Sequence, residues 1–368
     1  MRIHTVKCGE KISDIARSYG VDEEILRMNN DLSDGECTEG EELLVLTPTR
    51  TYKVRRGDSV ERLALRFGVR RRELAAMNPW IECDGLTPGR LLAIKYDERK
   101  YGMAASNGYL FGAGVMRDIQ KKLPYLTYLT AAAAVIEDGK IKKQFDFRDP
   151  VGLVRSMDKI PLLGVYLRDN SLDFKPELFS EMIAFASRGG FKGVTLGGIA
   201  PTEEQIVEIK KQMIGSDLIL ITELDGNSPS YLSDYSDGSI FSMCCAPGCS
   251  AEGDYRGFAE EKDGSRCMLE LCSFAQSEQG YLPLADAIVA ARRGGCKITR
   301  RGGDCHFSHR RLGEVSFSSL EKIKTTLEDM HEYGFMGVSI DIMRTPLNYL
   351  MMYNAYFGAS PYYCSAIN

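Results

Sequence analysis

The 368-residue sequence holds no apolar run of about eighteen residues, the length a membrane-spanning helix requires. A membrane partner is therefore not expected. Residues 1–6 run straight into a patterned segment, without a basic start, an apolar core or a small-residue cleavage site. The expectation is a chain made in the cytoplasm with no secretory signal. Excess charge is scarce as well: 46 Lys and Arg oppose 51 Asp and Glu, a net charge of -5. So mild a balance argues against nucleic acid as the main partner. The eleven cysteines are scattered and show no doubled C-x-x-C spacing. Cys244-Cys245 with Cys249, and Cys305-His306 with His309, lack the paired spacing of a four-ligand zinc site. Neither a metal nor a cofactor is expected, and the thiols read as reduced.

What remains is an ordinary globular composition, 44% hydrophobic and 26% charged, in a chain long enough for two or three domains. The first hundred or so residues repeat themselves. His4-Thr5-Val6 matches Tyr52-Lys53-Val54, Gly9 matches Gly57, and Ile15-Ala16 matches Leu63-Ala64. Tyr19-Gly20-Val21 matches Phe67-Gly68-Val69, Leu26 matches Leu74, and Asn30 matches Asn78. Two copies are too few for a solenoid. Each copy predicts a short strand, a turn, two short amphipathic helices and a closing strand. Ile12, Ile15, Ala16 and Tyr19 set the helical period of the first helix.

The pattern Val54, Gly57-Asp58, Val60, Leu63-Ala64, Leu74, Asn78 and Gly89, present twice in register, resembles the LysM module. The resemblance implies a β-α-α-β fold that binds N-acetylglucosamine polymers, peptidoglycan or a chitin-type glycan, in a shallow groove between two loops. It places the groove on Gly9, Glu10, Lys11 and Ile12 with Asn30, Asp31 and Leu32 in the first copy. In the second copy it falls on Gly57, Asp58, Ser59 and Val60 with Asn78, Pro79, Trp80 and Ile81. Trp80, the only tryptophan, reads equally as a sugar contact or as a plug beneath its loop. Asn30 and Asn78 read first as capping or turn residues. The run Arg70-Arg71-Arg72 reads as a solvated basic face, or as an attraction for an anionic wall polymer.

Residues 97–104 read as a linker between modules 1–48 and 49–96 and a region 105–368. In that region short apolar runs at 108–111, 125–135, 162–166, 193–196, 218–221, 240–243, 268–274 and 336–342 alternate with helical stretches. Eight such strands predict a (β/α)8 barrel. A small α+β lobe is expected at about 281–318, with a helix at 284–292. Gly108-Tyr109, Ile136-Glu137-Asp138-Gly139, Val315 to Leu320, Gly337-Val338-Ser339 and Pro346-Leu347-Asn348-Tyr349 resemble glycoside hydrolase family 18. Behind tandem LysM modules, the layout is similar to the cortical-fragment-lytic N-acetylglucosaminidases of bacterial spores. The resemblance implies a spore or cell-envelope location, with spore-coat proteins as further partners and cross-linking as another use for the cysteines.

The family's chemistry is missing from the places where it belongs. Its motif D-x-x-D-x-D-x-E, which supplies the acid for substrate-assisted hydrolysis, falls on Lys192 to Ile199. The acid position is Ile199 and the aspartate position beside it is Gly197. Met243-Cys244-Cys245-Ala246 replaces Met-x-Tyr-Asp on strand six, and Asp341 stands where the family has tryptophan. The expectation is an inactive barrel on a glycan-binding protein. The alternative is a divergent glycosidase using Glu223, Asp225 or Asp341, which requires one of them buried in the mouth with a raised pKa. Tyr109, Arg168, Asp169 and Arg344 are the other mouth candidates, with a salt-bridged rim as the plainer reading. Glu203 and Glu204 read as first-turn helix residues.

Overall fold

The computed structural model describes residues 1–32, 37–96, 100–168, 176–242 and 255–359. Each repeat is a β-α-α-β module. In the first, strand Arg2–Thr5 pairs antiparallel with Glu42–Val45 across helices Ile12–Tyr19 and Glu23–Asn29. In the second, Pro48–Lys53 pairs with Leu91–Tyr96 across Val60–Phe67, Arg71–Met77 and a further short helix, Ile81–Asp84. The predicted stripe is the buried one, since Ile12, Ile15 and Ala16 face the first module's core. Side-chain caps start the helices: Asp22 accepts from the Glu24 amide, and Ser59 from the Arg62 amide.

Eight parallel strands then close into a barrel: β1 Gly102–Leu110, β2 Tyr128–Glu137, β3 Ile160–Leu167, β4 Gly193–Gly198, β5 Ile219–Leu224, β6 Gly238–Phe241, β7 Cys267–Glu270 and β8 Gly337–Asp341. Each pairs with the next, and β1 pairs with both β8 and β2. The (β/α)8 reading is therefore the observed architecture. Two boundaries differ from the expectation. β1 begins at Gly102, inside the stretch read as linker, because its first residues pair with Phe357–Ala359. The lobe sheet includes Phe274–Ser277, read from sequence as the end of strand seven. The apolar run hid a change of sheet after Glu270. The lobe is a five-stranded antiparallel sheet with helix Leu284–Gly294. The expected hairpin after β2 is present, turning through Asp138 and Gly139 at φ 52 and 65°. Among the described residues no helix is long and apolar enough to cross a membrane.

Alternate strand residues point into the barrel and fill it in layers. Ala105, Tyr128, Leu162, Ile221, Ile240 and Met268 make an apolar cluster. A polar belt shares the interior, with Thr130 donating to Asn107, Asn107 to Ser339, and the Thr130 and Thr195 hydroxyls 3.2 Å apart. The modules are not loosely tethered. Leu44, Leu46 and Ala76 belong to the same apolar core as the barrel's outer layer. Arg292 of the lobe forks onto the buried Glu41 carboxylate, with a closest contact of 2.6 Å. The Tyr125 hydroxyl, ahead of β2, donates to the Ala76 carbonyl of the second module.

Candidate functional site

The residues expected to form the module grooves fall into two groups. The first holds the backbone. Gly9 and Gly57 take φ of 70 and 86° in the strand–helix turns. Behind them, Glu10 accepts from the Lys7 amide and Asp58 from the Arg55 amide. These bonds are the main cause holding both carboxyls below the ordinary range. Lys11 and Ser59 are the N-cap positions, while Ile12 packs in the core and Val60 against the second module's core. Asn30 and Asn78 do one job twice. Asn30 Nδ2 donates to the carbonyls of Leu26 and Leu44, and its Oδ1 accepts from the Leu44 amide. Asn78 makes the same three bonds to Leu74 and Ala93. Each asparagine clips the second helix to the last strand, as the capping reading anticipates.

The second group borders a cavity. Asp31 and Leu32 of the first module and Pro79 and Trp80 of the second line one cavity of about 290 Å³. Its third wall is the barrel helix Met116–Lys122, which no sequence pattern tied to the modules. Trp80 is 4% exposed, packs in the second module's core and lies under the Arg90 guanidinium, 4.1 Å from its ring. Its ring is a plug. Its indole N–H is buried and has no acceptor among the described residues. Ile81 is buried beside it.

The barrel mouth gathers side chains from five strands. Glu223, the last inward residue of β5, accepts from the hydroxyls of Tyr109 and Tyr166 at 2.6 and 2.7 Å. Burial raises its carboxyl above the ordinary range, against the lowering by the two hydroxyls. Burial also drives both phenols upward, so they remain donors. Glu270 at the end of β7 is raised by burial too, with Glu223 and Asp341 adding repulsion. Asp341, 3% exposed, is raised by burial despite its ion pair with Arg344 and the amides of Met343 and Arg344. The Arg344 guanidinium sits over the rings of Phe274 and Phe111, and Phe111 is 51% exposed.

Position 197 explains part of this arrangement. A Cβ there would lie 2.2 Å from Glu223 Oε2 and 2.8 Å from the Tyr166 ring. Only glycine leaves the Glu223 carboxylate its place, so the space beside position 197 is occupied by an acid from the next strand. Ile199 is half-buried and packs against the core. Asp225, expected at the mouth, is instead exposed and closes its own turn through Asn227 and Ser228. Arg168 is exposed at the end of β3, and Asp169 and Met243 to Cys249 lie outside the described residues. Glu203 and Glu204 are exposed in the first turn of Glu203–Met213. Cys305 is buried in the lobe, which pushes its thiol up to about 12, and His309 accepts from the Arg311 amide. Glu270 and Tyr166 are not among the residues the sequence pattern singles out. Each is a polar group near the C-terminal end of an apolar barrel run, a signal that was available.

Residues 4–38 and 52–95 match the LysM domain. No curated protein matches the chain in sequence. Among solved structures, the spore cortex-lytic enzyme SleL of Bacillus megaterium matches with a TM-score of 0.70 at 15% identity, over 98% of this chain and 99% of that one. SleL of Bacillus cereus matches with the same score and coverage at 18% identity. A chitinase of Chromobacterium violaceum matches with a TM-score of 0.57 at 12% identity, over 68% of this chain and 98% of that one. The chain thus carries two LysM domains followed by a closed eight-stranded parallel barrel of the fold found in these solved enzymes.

Proposed function

We propose that this chain binds an N-acetylglucosamine-containing glycan, bacterial peptidoglycan in a spore or cell envelope, and that its barrel does not run the family 18 hydrolysis. The end of β4 carries this reading: Gly197 and Ile199 stand where an orienting aspartate and a proton donor are needed, and neither side chain transfers a proton. The glycan half rests on the LysM matches over the modules assigned to residues 1–48 and 49–96. The envelope location is supported by the likeness of the whole architecture to the SleL enzymes. The test is a pulldown on intact peptidoglycan beside mass spectrometry of spore-cortex fragments incubated with the pure protein. Retention on the polymer with no new fragments is the expected result; release of cleaved fragments overturns the inactive barrel.

One observation favours a second reading, a divergent glycosidase. Glu223 is a carboxyl raised by burial, held by two tyrosines in the volume beside Gly197. A carboxyl raised by burial is the kind of group that protonates a leaving glycosidic oxygen. Under this reading cleavage occurs and Glu223→Gln lowers its rate by at least about a hundredfold, whereas Asp225→Asn leaves it unchanged.

A further inference from the structure

We infer that the two LysM modules and the barrel build one shared saccharide site, in which residues of the barrel helix Met116–Lys122 determine binding. The inference rests on the glycan-binding reading of the modules and goes beyond it, because that reading gives each module its own groove and the barrel no part.

The cavity between the three bodies carries the argument. Of the residues expected to touch glycan, those bordering a cavity, the exposed Asp31 with the buried Leu32, Pro79 and Trp80, come from both copies and converge on this single cavity. The partners from the strand–helix turns do not line it; they are engaged in turns and caps. At about 290 Å³ the cavity is near the lower end for ligand pockets, suited to a sugar unit or two rather than a large ligand.

Its walls are stitched together by ion pairs that cross every boundary. Arg90 of the second module pairs with Glu24 of the first. Lys121 of the barrel pairs with Asp31 of the first module, and Arg117 of the barrel with Asp84 of the second. Cys83 adds a contact to the Arg117 carbonyl. The cavity is therefore preformed, which removes much of the ordering cost of binding.

Its chemistry suits an N-acetylated, uncharged sugar. Met28, Leu32 and Pro79 give an apolar side. The lining charges are four of each sign, Glu24, Asp31, Asp84 and Asp118 against Arg27, Arg90, Arg117 and Lys121, so no net field selects an ion. Arginine–carboxylate pairs keep donors and lone pairs for hydroxyl groups. Asp118 has no ion pair among the described residues and is exposed on the barrel wall as an acceptor.

The test uses the full chain, a soluble N-acetylglucosamine tetramer and titration calorimetry. Three barrel variants are compared with the unchanged protein: Arg117→Gln, Asp118→Asn and Lys121→Met, all altering partly or fully exposed side chains, with circular dichroism confirming the fold. The expected result is one tetramer per chain, with affinity lowered about tenfold when Arg117→Gln and Asp118→Asn are combined. Two equivalent tetramers per chain, or unchanged affinity in every barrel variant, overturns the shared site while leaving the LysM reading intact. No binding by the unchanged protein overturns both.

Discussion

The carboxylates of the LysM turns and those of the barrel mouth respond to the fold in opposite directions. Glu10 and Asp58 each accept a backbone amide in the turn they close, and both are held below the ordinary range by that bond. Glu223, Glu270 and Asp341 are raised, each chiefly by burial. The fold prefers the turn acids charged and the mouth acids neutral. Groups held against their preferred ionisation mark functional sites more often than groups the fold has satisfied. The modules thus use their signature polar residues for architecture, and the barrel concentrates unspent acidity at one end.

The largest effect expected from breaking this contrast lies in the modules. Asn78 is fully buried and supplies three hydrogen bonds. Asn78→Ala strands two carbonyls and an amide and is expected to cost about 3 kcal/mol in urea unfolding. Asn30→Ala is expected to match it to within about 1 kcal/mol. A negligible loss at either position returns that asparagine to the list of sugar contacts. Next in size is Gly197→Ala, which places a methyl group against Glu223 Oε2. The expected cost is about 2 kcal/mol. Combining it with Glu223→Ala should recover part of that loss, because the nearer of the two collision partners is gone while the Tyr166 ring remains. A double-mutant cycle with no coupling shows that the two positions do not share space.

How far these sites were legible follows from the range of the interactions. The repeat, the helical stripe of Ile12, Ile15 and Ala16, and the eight strands depend on neighbours a few residues apart, and they read directly. The capping role of Asn30 and Asn78 read correctly because asparagine at a helix end has few other uses. Glu270 and Tyr166 are polar groups near the C-terminal ends of apolar barrel runs, a local pattern the sequence does carry. The cavity shared with Arg117, Asp118 and Lys121 was not legible at all, since no periodicity reports which helix of a barrel a preceding module will lean on. The Glu223–Gly197 contact lies between these cases: the glycine stands out as a departure from the motif the sequence resembles, but the acid beside it comes from the next strand.

The mouth and the turns also predict opposite pH dependence. A carboxyl raised by folding binds its proton more tightly in the native state. Its contribution is fully present below the unfolded pKa and is lost as pH rises from about 4 through the raised value. Glu223→Gln removes that penalty while keeping an acceptor for Tyr109 and Tyr166. It is expected to raise Tm at neutral pH by on the order of 2 °C and to leave Tm unchanged at about pH 4. A lower Tm at neutral pH means the charged form is the one the fold supports, and it removes the basis for a proton donor at this position.

Glu10 tests the other half of the contrast with the smallest effect. A carboxyl lowered by folding stabilises the native state above its unfolded pKa, and that stability disappears as pH falls through the lowered value. The sign is therefore the reverse of the mouth. Glu10 is partly exposed, and its partners are the Lys7 amide and the His4 ring 2.9 Å away. Solvent screening limits what the charge contributes. Glu10→Gln keeps the shape of the acceptor and removes the charge. Tm is expected to fall by about 1 °C at neutral pH and by nothing measurable below about pH 3. Asp58→Asn should move in the same direction, because Asp58 accepts from the Arg55 amide and the Tyr52 hydroxyl in the equivalent turn. A Tm that rises in both variants places the turn acids with the mouth acids, and leaves the opposition between modules and barrel without its physical ground.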